Sequence, residues 1–333
     1  MPEKKNNHKF INWVTAVNKK YAIGIPLILL VVSTVIFFSL QTNIFEPGTI
    51  SRLTNSNFRT WLPVLLLTMG QGLVLIGGGL DLSNGSIVSV GNVVLALYIT
   101  SADEPWHNLA IVALVIAFGL AAGFLNGFLT VYLGLQPVIV TFATSFIYAG
   151  LALLLLPTPG GAIPRDYTNF YRNTQYLGVP FSLLLLFFLL LLWGIFRHRK
   201  YGRFLYAVGG NPKAAYTTGV PVTWVKISTY VLSGLLASFG AISYSLLTGS
   251  GFSGSGADMM LPSITGAIIG GISFSGGSGS LVGAVFGGII LGNIRRIISI
   301  ARIDSWAVTL VNALVIVFAL AAPGAINLLR RKK

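Results

Sequence analysis

Asp81 stands in the stretch GGGLDLSNGS (77–86), with glycines on both sides and the apolar run LPVLLLTMGQGLVLI directly before it. Of the eight acidic residues it alone abuts an apolar run on its inner side; Glu3, Glu46, Asp103, Glu104, Asp166, Asp258 and Asp304 fall in flanks and connections. A carboxylate so placed has two readings. It can cap a helix that restarts near residue 85, accepting hydrogen bonds from N–H groups at the positive end of the helix dipole. It can also line a polar conduit, because irregular backbone at membrane depth is tolerated where protein or a water-filled cavity satisfies its polar groups.

Other chemistry is thin. GFSG (251–254) offers Ser253 as a nucleophile, but an activated hydroxyl needs a base beside it. The three histidines, His8, His107 and His198, lie in loops or tails, and no lysine lies inside an apolar run. The stretch therefore reads as a flexible Gly/Ser connection. Three dispersed histidines do not converge as zinc ligands do, so no metal is expected. The chain has no cysteine, which removes disulfides and thiolate chemistry. A phosphate-binding GxxxxGK[ST] pattern is missing; GGSGS (276–280) has no lysine and reads as a helix break with close packing. ATP that drives this protein must then be bound, with its magnesium, by another polypeptide. An ion-coupled transporter working alone, the alternative reading, would carry several buried ionisable groups at mid-membrane.

The elements that hold these residues are set by hydropathy. Charged residues make up 9% of the 333 and hydrophobic ones 54%, against about a quarter charged in a soluble domain. Ten apolar runs have the length that a hydrocarbon core of about 30 Å requires: 21–40, 61–80, 85–101, 108–133, 137–156, 180–196, 227–248, 261–275, 280–298 and 305–322. They are continuous rather than alternating, which predicts an all-α integral membrane protein and excludes an outer-membrane barrel. The first run is too long for a signal peptide and lacks a cleavage pattern.

Basic residues orient the bundle, since basic flanks stay cytoplasmic. With both termini inside, 15 of the 22 basic residues and every lysine fall on the inner side, in 1–20, 197–226 and 326–333. The expected organisation is a basic segment 1–20, one transmembrane domain 21–325 and a basic tail 326–333. The net charge of +14 needs no nucleic acid, because this bias and anionic lipid headgroups account for it.

Gly119, Gly123 and Gly127 recur at i, i+4 and i+8, as do Gly279, Gly283 and Gly287. Such faces let helix backbones approach closely where lipid supplies no hydrophobic drive. GGGLDLSNG (77–85) and GGISFSGGSG (270–279) instead break helices and are pathway candidates. The longest inner connection, 197–226, contains Pro212 after Asn211 and then Gly219, the start and stop of a short helix. That helix either docks a cytoplasmic partner or rests on headgroups.

GGGLDLSNGS resembles the GGIDLSVGS signature of permease subunits from the ribose-type, simple-sugar ABC importers, with Asn84 in place of Val. AAGFLNGFLTVYLGLQPVIVTFAT (121–144) resembles their G-x-x-NG stretch followed by Pro-x-Ile-x-Thr, AVGGNPKAAYTTGV (207–220) their GGN-x-x-AA-x-x-SGI loop, and IIGGISFSGGSGSLVGAVFGGIILGN (268–293) their long glycine-spaced run. The frequent Glu-Leu-Asp before the eighth helix is here MMLPSI (259–264), and Arg295 and Arg296 are unusual so close to an apolar run. These two either snorkel to the outer interface or line an exit. The resemblance implies a ten-helix type II importer permease in the bacterial inner membrane, paired with a second copy or a sister permease. It also implies a cytoplasmic ABC ATPase and an extracytoplasmic sugar-binding protein as partners, the latter docking on outer loops that include 157–179. It places Asn211, Ala214, Ala215 and Gly219 in the helix that receives the ATPase stroke, and Asp81, Ser83 and Asn126 at or near the translocation path. The implied cargo is a simple sugar or a related small polyol.

Overall fold

The computed structural model describes residues 23–41 and 44–304, with scattered positions as far as 317. The expected tenth run, 305–322, and both basic termini lie essentially outside the described residues. The described chain is almost wholly helical: α1 (Gly24–Ser39), α2 (Thr49–Ile76), α3 (Asn84–Tyr98), α4 (Pro105–Gly127), α5 (Pro137–Leu155), α6 (Arg165–Asn173), α7 (Phe181–His198), α8 (Lys200–Gly210), α9 (Pro212–Thr217), α10 (Val222–Thr248), α11 (Ala257–Ile269) and α12 (Leu281–Ile300). The end of α4 continues as a π-helical turn, Phe128–Tyr132. A two-residue hairpin pairs Tyr176 with Val179 between α6 and α7.

Among the described residues six helices are long and apolar enough to cross a membrane, and α1, α3 and α11 are shorter apolar helices. The protein is thus an all-α, multi-pass membrane protein. Its helices differ in what surrounds them. From Leu62 to Ile76, α2 is buried on nearly all sides, as a central helix must be. In contrast, α1, α5 and α7 expose Val35, Phe146, Ile147, Leu154 and Phe187, the residue types that lipid or another apolar surface covers.

Two apolar clusters flank the centre. One gathers Leu62, Leu66, Leu205, Leu236 and Leu281 from α2, α8, α10 and α12. The other gathers Val88, Val93, Val115, Ala152 and Ala237 from α3, α4, α5 and α10. Helix α10 reaches both because its small residues face α4. A Cβ on Gly119 would overlap the Gly234 carbonyl, one on Gly123 the Tyr230 carbonyl, and one on Gly127 would stand 3.0 Å from Ile227 Cα. All three glycines of this face therefore serve a single helix seam.

The second glycine triplet is different. Gly283 and Gly287 lie on α12, where an added Cβ would overlap the Gly270 and Gly266 carbonyls. Gly279 precedes the helix at φ 116° and packs on Ile272. It does not share the helical face expected for it, because the 270–280 break extends as far as Ser280 and the helix starts only at Leu281. A second correction concerns α2, which begins at Thr49 and ends at Ile76 rather than spanning 61–80.

Candidate functional site

The break after α2 turns inward. Gly77 closes the helix, its N–H donating to the Leu73 carbonyl, and Gly78 adopts φ 80°, a conformation that glycine takes without a Cβ penalty. The chain then carries Asp81 into the bundle. Asp81, Ser83 and Asn126 are all fully buried, and they meet. Asp81 Oδ1 accepts the Ser83 backbone N–H at 2.9 Å and the Ser83 hydroxyl at 2.7 Å. Asp81 Oδ2 accepts the Ser233 hydroxyl of α10 at 2.8 Å. Asn126 Nδ2 donates to Ser83 Oγ at 2.7 Å, and Asn126 Oδ1 accepts the Thr144 hydroxyl of α5 at 2.8 Å. Thr130 Oγ1 also donates to the Asn126 carbonyl. The carboxylate thus ties the restart of α3 to α10, and Ser83 and Asn126 extend the network to α4 and α5.

The capping expectation is met only at its edge. Ser83 is the N-cap residue of α3, and its own side chain makes no capping bond. Asp81 instead accepts the amide of the N-cap residue itself. A buried carboxylate is tolerated because three donors surround it.

Beside this network a cavity of about 410 Å³ opens among Gly77–Gly79, Thr130, Pro137, Lys226 and Tyr230. Tyr230 packs so closely on Gly79 that a Cβ there would overlap its hydroxyl. Asp81 does not line this cavity; Gly79, two residues earlier, does.

The connection 197–226 contains two helices, where the sequence suggested one. The second, α9, matches expectation. Asn211 is its N-cap, with the side chain accepting from the Ala214 N–H at 3.1 Å, and Pro212 occupies its first turn. Gly219, at φ 80°, ends it. Ala215 is buried, whereas Asn211, Ala214 and Gly219 are exposed, as are Tyr216 and Trp224. The first helix, α8, buries Leu205, Val208 and Gly209 and brings Gly209 and Gly210 against both breaks. The Gly277 N–H donates to the Ile76 carbonyl at 2.9 Å. A Cβ on Gly209 would overlap that carbonyl, one on Gly276 would meet Gly78 Cα at 2.9 Å, and one on Gly277 would meet Gly210 Cα at 2.5 Å. The Tyr206 hydroxyl adds a bond to the Gly279 carbonyl at 2.8 Å. Three glycine segments, at 77–79, 209–210 and 276–279, therefore form one backbone-to-backbone junction.

Sequence reasoning did not find this junction or Ser233. The three glycine segments were visible, but nothing in the spacing says that they touch. Ser233 is one of many serines in an apolar helix, and no local signal separates it from the rest.

Residues 56–320 match the family described as "Branched-chain amino acid transport system / permease component". Curated relatives include proteins named autoinducer 2 import system permease protein LsrD. That of Photorhabdus temperata is 28% identical over 288 residues, covering 84% of each chain. That of Enterobacter sp. (strain 638) is 30% identical over 294 residues, covering 86% of this chain and 85% of the relative. That of Klebsiella pneumoniae is 29% identical over 294 residues, covering 86% and 83%. No solved structure matches the chain.

Proposed function

Because the chain belongs to the permease-component family of branched-chain amino acid transport systems, we propose that it is the membrane-spanning subunit of an ATP-binding cassette importer that moves a simple sugar or related small polyol inward. The family description names amino acids, but the relatives above are named for autoinducer 2, and the four motifs resemble those of simple-sugar permeases. Autoinducer 2 is the first cargo to test. In this reading the protein crosses the bacterial inner membrane ten times as a type II permease, with both termini and α8–α9 in the cytoplasm. It is not itself an enzyme. ATP and magnesium belong to a cytoplasmic ATPase subunit, a binding protein delivers cargo from outside, and a second permease chain completes the gate.

The observation that carries the reading is the glycine junction. Gly209 and Gly210 immediately precede α9 and abut both breaks. An ATPase gripping the exposed Asn211, Ala214 and Gly219, with buried Ala215 seating α9 on the bundle, would displace α9, and α8 would pass that movement to 77–79 and 276–279. Those contacts are backbone against backbone and have little compressibility, so the two breaks must follow. Asp81, Ser83 and Asn126 flank the translocation path, holding α3, α4, α5 and α10 in register beside it, and the 410 Å³ cavity is its inner mouth.

Uptake in intact cells tests this. Transport should stop when the partner ATPase carries a dead catalytic site, with the proton gradient preserved. Continued uptake would identify an ion-coupled transporter working alone. Ala214→Trp should abolish cargo-stimulated ATPase activity of the assembled complex; full activity would remove α9 from the docking surface.

A further inference from the structure

At the end of the bundle opposite α8 and α9, a cavity of about 130 Å³ lies between α2, α11 and α12, walled by Thr60, Trp61, Pro262, Arg295 and Arg296. Glycine shapes it. The Trp61 indole lies on Gly292, where a Cβ would stand 2.6 Å from the ring, and Gly288 continues the same bare wall one turn earlier. The indole forms a flat side, and Thr60, Arg295 and Arg296 supply the polar residues of the lining.

The charge there is unbalanced. Arg296 Nη2 donates to the Ser56 hydroxyl at 3.2 Å. Arg295 Nε is buried and has no hydrogen-bond partner among the described residues. No carboxylate among the described residues forms an ion pair with either arginine. Asp258, at the start of α11, acts on Arg295 electrostatically without forming an ion pair, and Arg59 adds a further positive charge near Arg296. A partly buried guanidinium with no ion-paired carboxylate is unfavourable, and its planar fork matches the paired oxygens of a carboxylate or phosphate. The cavity has room for several waters but is smaller than the roughly 300 Å³ at which pockets for whole small molecules begin. It suits one oxyanion group.

We propose that this cavity is an anion site that takes a phosphate or carboxylate group, held by the Arg295 fork and flanked by Arg296, with Trp61 as its wall. The group comes either from a phospholipid headgroup or from a free anion in solution.

The test uses the full chain purified in neutral detergent. Inorganic phosphate, titrated against chloride at constant ionic strength, should raise the melting temperature saturably in the wild type and not in Arg295→Gln or Arg296→Gln. In parallel, native mass spectrometry after exposure to phosphatidylglycerol should show a retained lipid that Arg295→Gln loses. A phosphate effect without lipid retention identifies a free anion, and the reverse identifies the headgroup; both support the site. Equal responses of wild type and both variants to phosphate and to phosphatidylglycerol would overturn it. If Arg295→Gln does not purify, Arg295→Lys keeps the charge and loses the fork. It should weaken binding at least tenfold, and unchanged affinity would overturn the assignment.

Discussion

At the α8 end of the bundle, chain segments meet as bare backbone; at the α6 end, beside the Gly160–Gly251 backbone pair, long side chains span the gaps. The first end is the junction of Gly78, Gly209, Gly210, Gly276 and Gly277. At the second, Arg59 Nη1 and Asn55 Nδ2 both donate to the Arg172 carbonyl at 3.2 Å. The Tyr171 hydroxyl donates to the Arg59 carbonyl at 2.8 Å, and Arg172 Nε donates to the Leu247 carbonyl at 3.1 Å. Backbone packed on backbone has no rotamers with which to absorb a displacement, whereas arginine and tyrosine do. The difference teaches where motion is passed on and where it is taken up: the α8 end is built to transmit, the α6 end to yield.

The largest effect should come from Gly209→Ala. The new methyl would meet the Ile76 carbonyl rather than a flexible side chain, and overpacking of this kind costs about 3 kcal/mol. Uptake should fall at least tenfold at equal protein level. Gly134→Ala is the matched control, because it strains a φ of 70° but meets nothing within 4 Å, a cost of about 1 kcal/mol. Equal melting temperatures and uptake for the two variants would break the comparison.

A middle-sized effect is expected at the centre. Asp81→Ala leaves the Ser83 amide and the Ser233 hydroxyl without their acceptor, a loss of about 2 kcal/mol. Asp81→Asn, which keeps an acceptor oxygen, should recover about half of it. Thermal denaturation of the purified chain distinguishes them, and identical melting points would mean that the charge rather than the acceptor matters.

Tyr171→Phe should do least. Its hydroxyl is shared between the Arg59 carbonyl and Ser243 Oγ, 2.7 Å away, so the loss is about 1 kcal/mol with uptake unchanged. Burial pushes this hydroxyl up to about 12, so it remains a donor throughout the physiological pH range. A transport defect as large as that of Gly209→Ala would show that the α6 end is as rigid as the other.

Much of the scaffold was legible in the residues. The apolar runs place the membrane helices, GGG (77–79) and GGISFSGGSG (270–279) mark the two breaks, and Asn211, Pro212 and Gly219 delimit α9. The N-terminal part of α2 was not, because TISRLTNSNFRT (49–60) is polar, and hydropathy registers the apolar band rather than the helix that runs past it. Helix α6 and its hairpin were hidden for the same reason. Gly279 was misplaced because a spacing of four residues is read equally well in a loop as in a helix.

The sequence alone determined the solvent in which this protein lives, where its helices fail and which end is basic, since each depends on the composition of a local stretch. Only the tertiary structure decided that Asp81 would find Ser233, 152 positions away, and that glycines from three separate segments would meet. Hydropathy and periodicity report how each stretch is solvated, one after another. The partner of a buried polar group, or of a bare backbone, is chosen by packing between stretches that have no sequence signal in common.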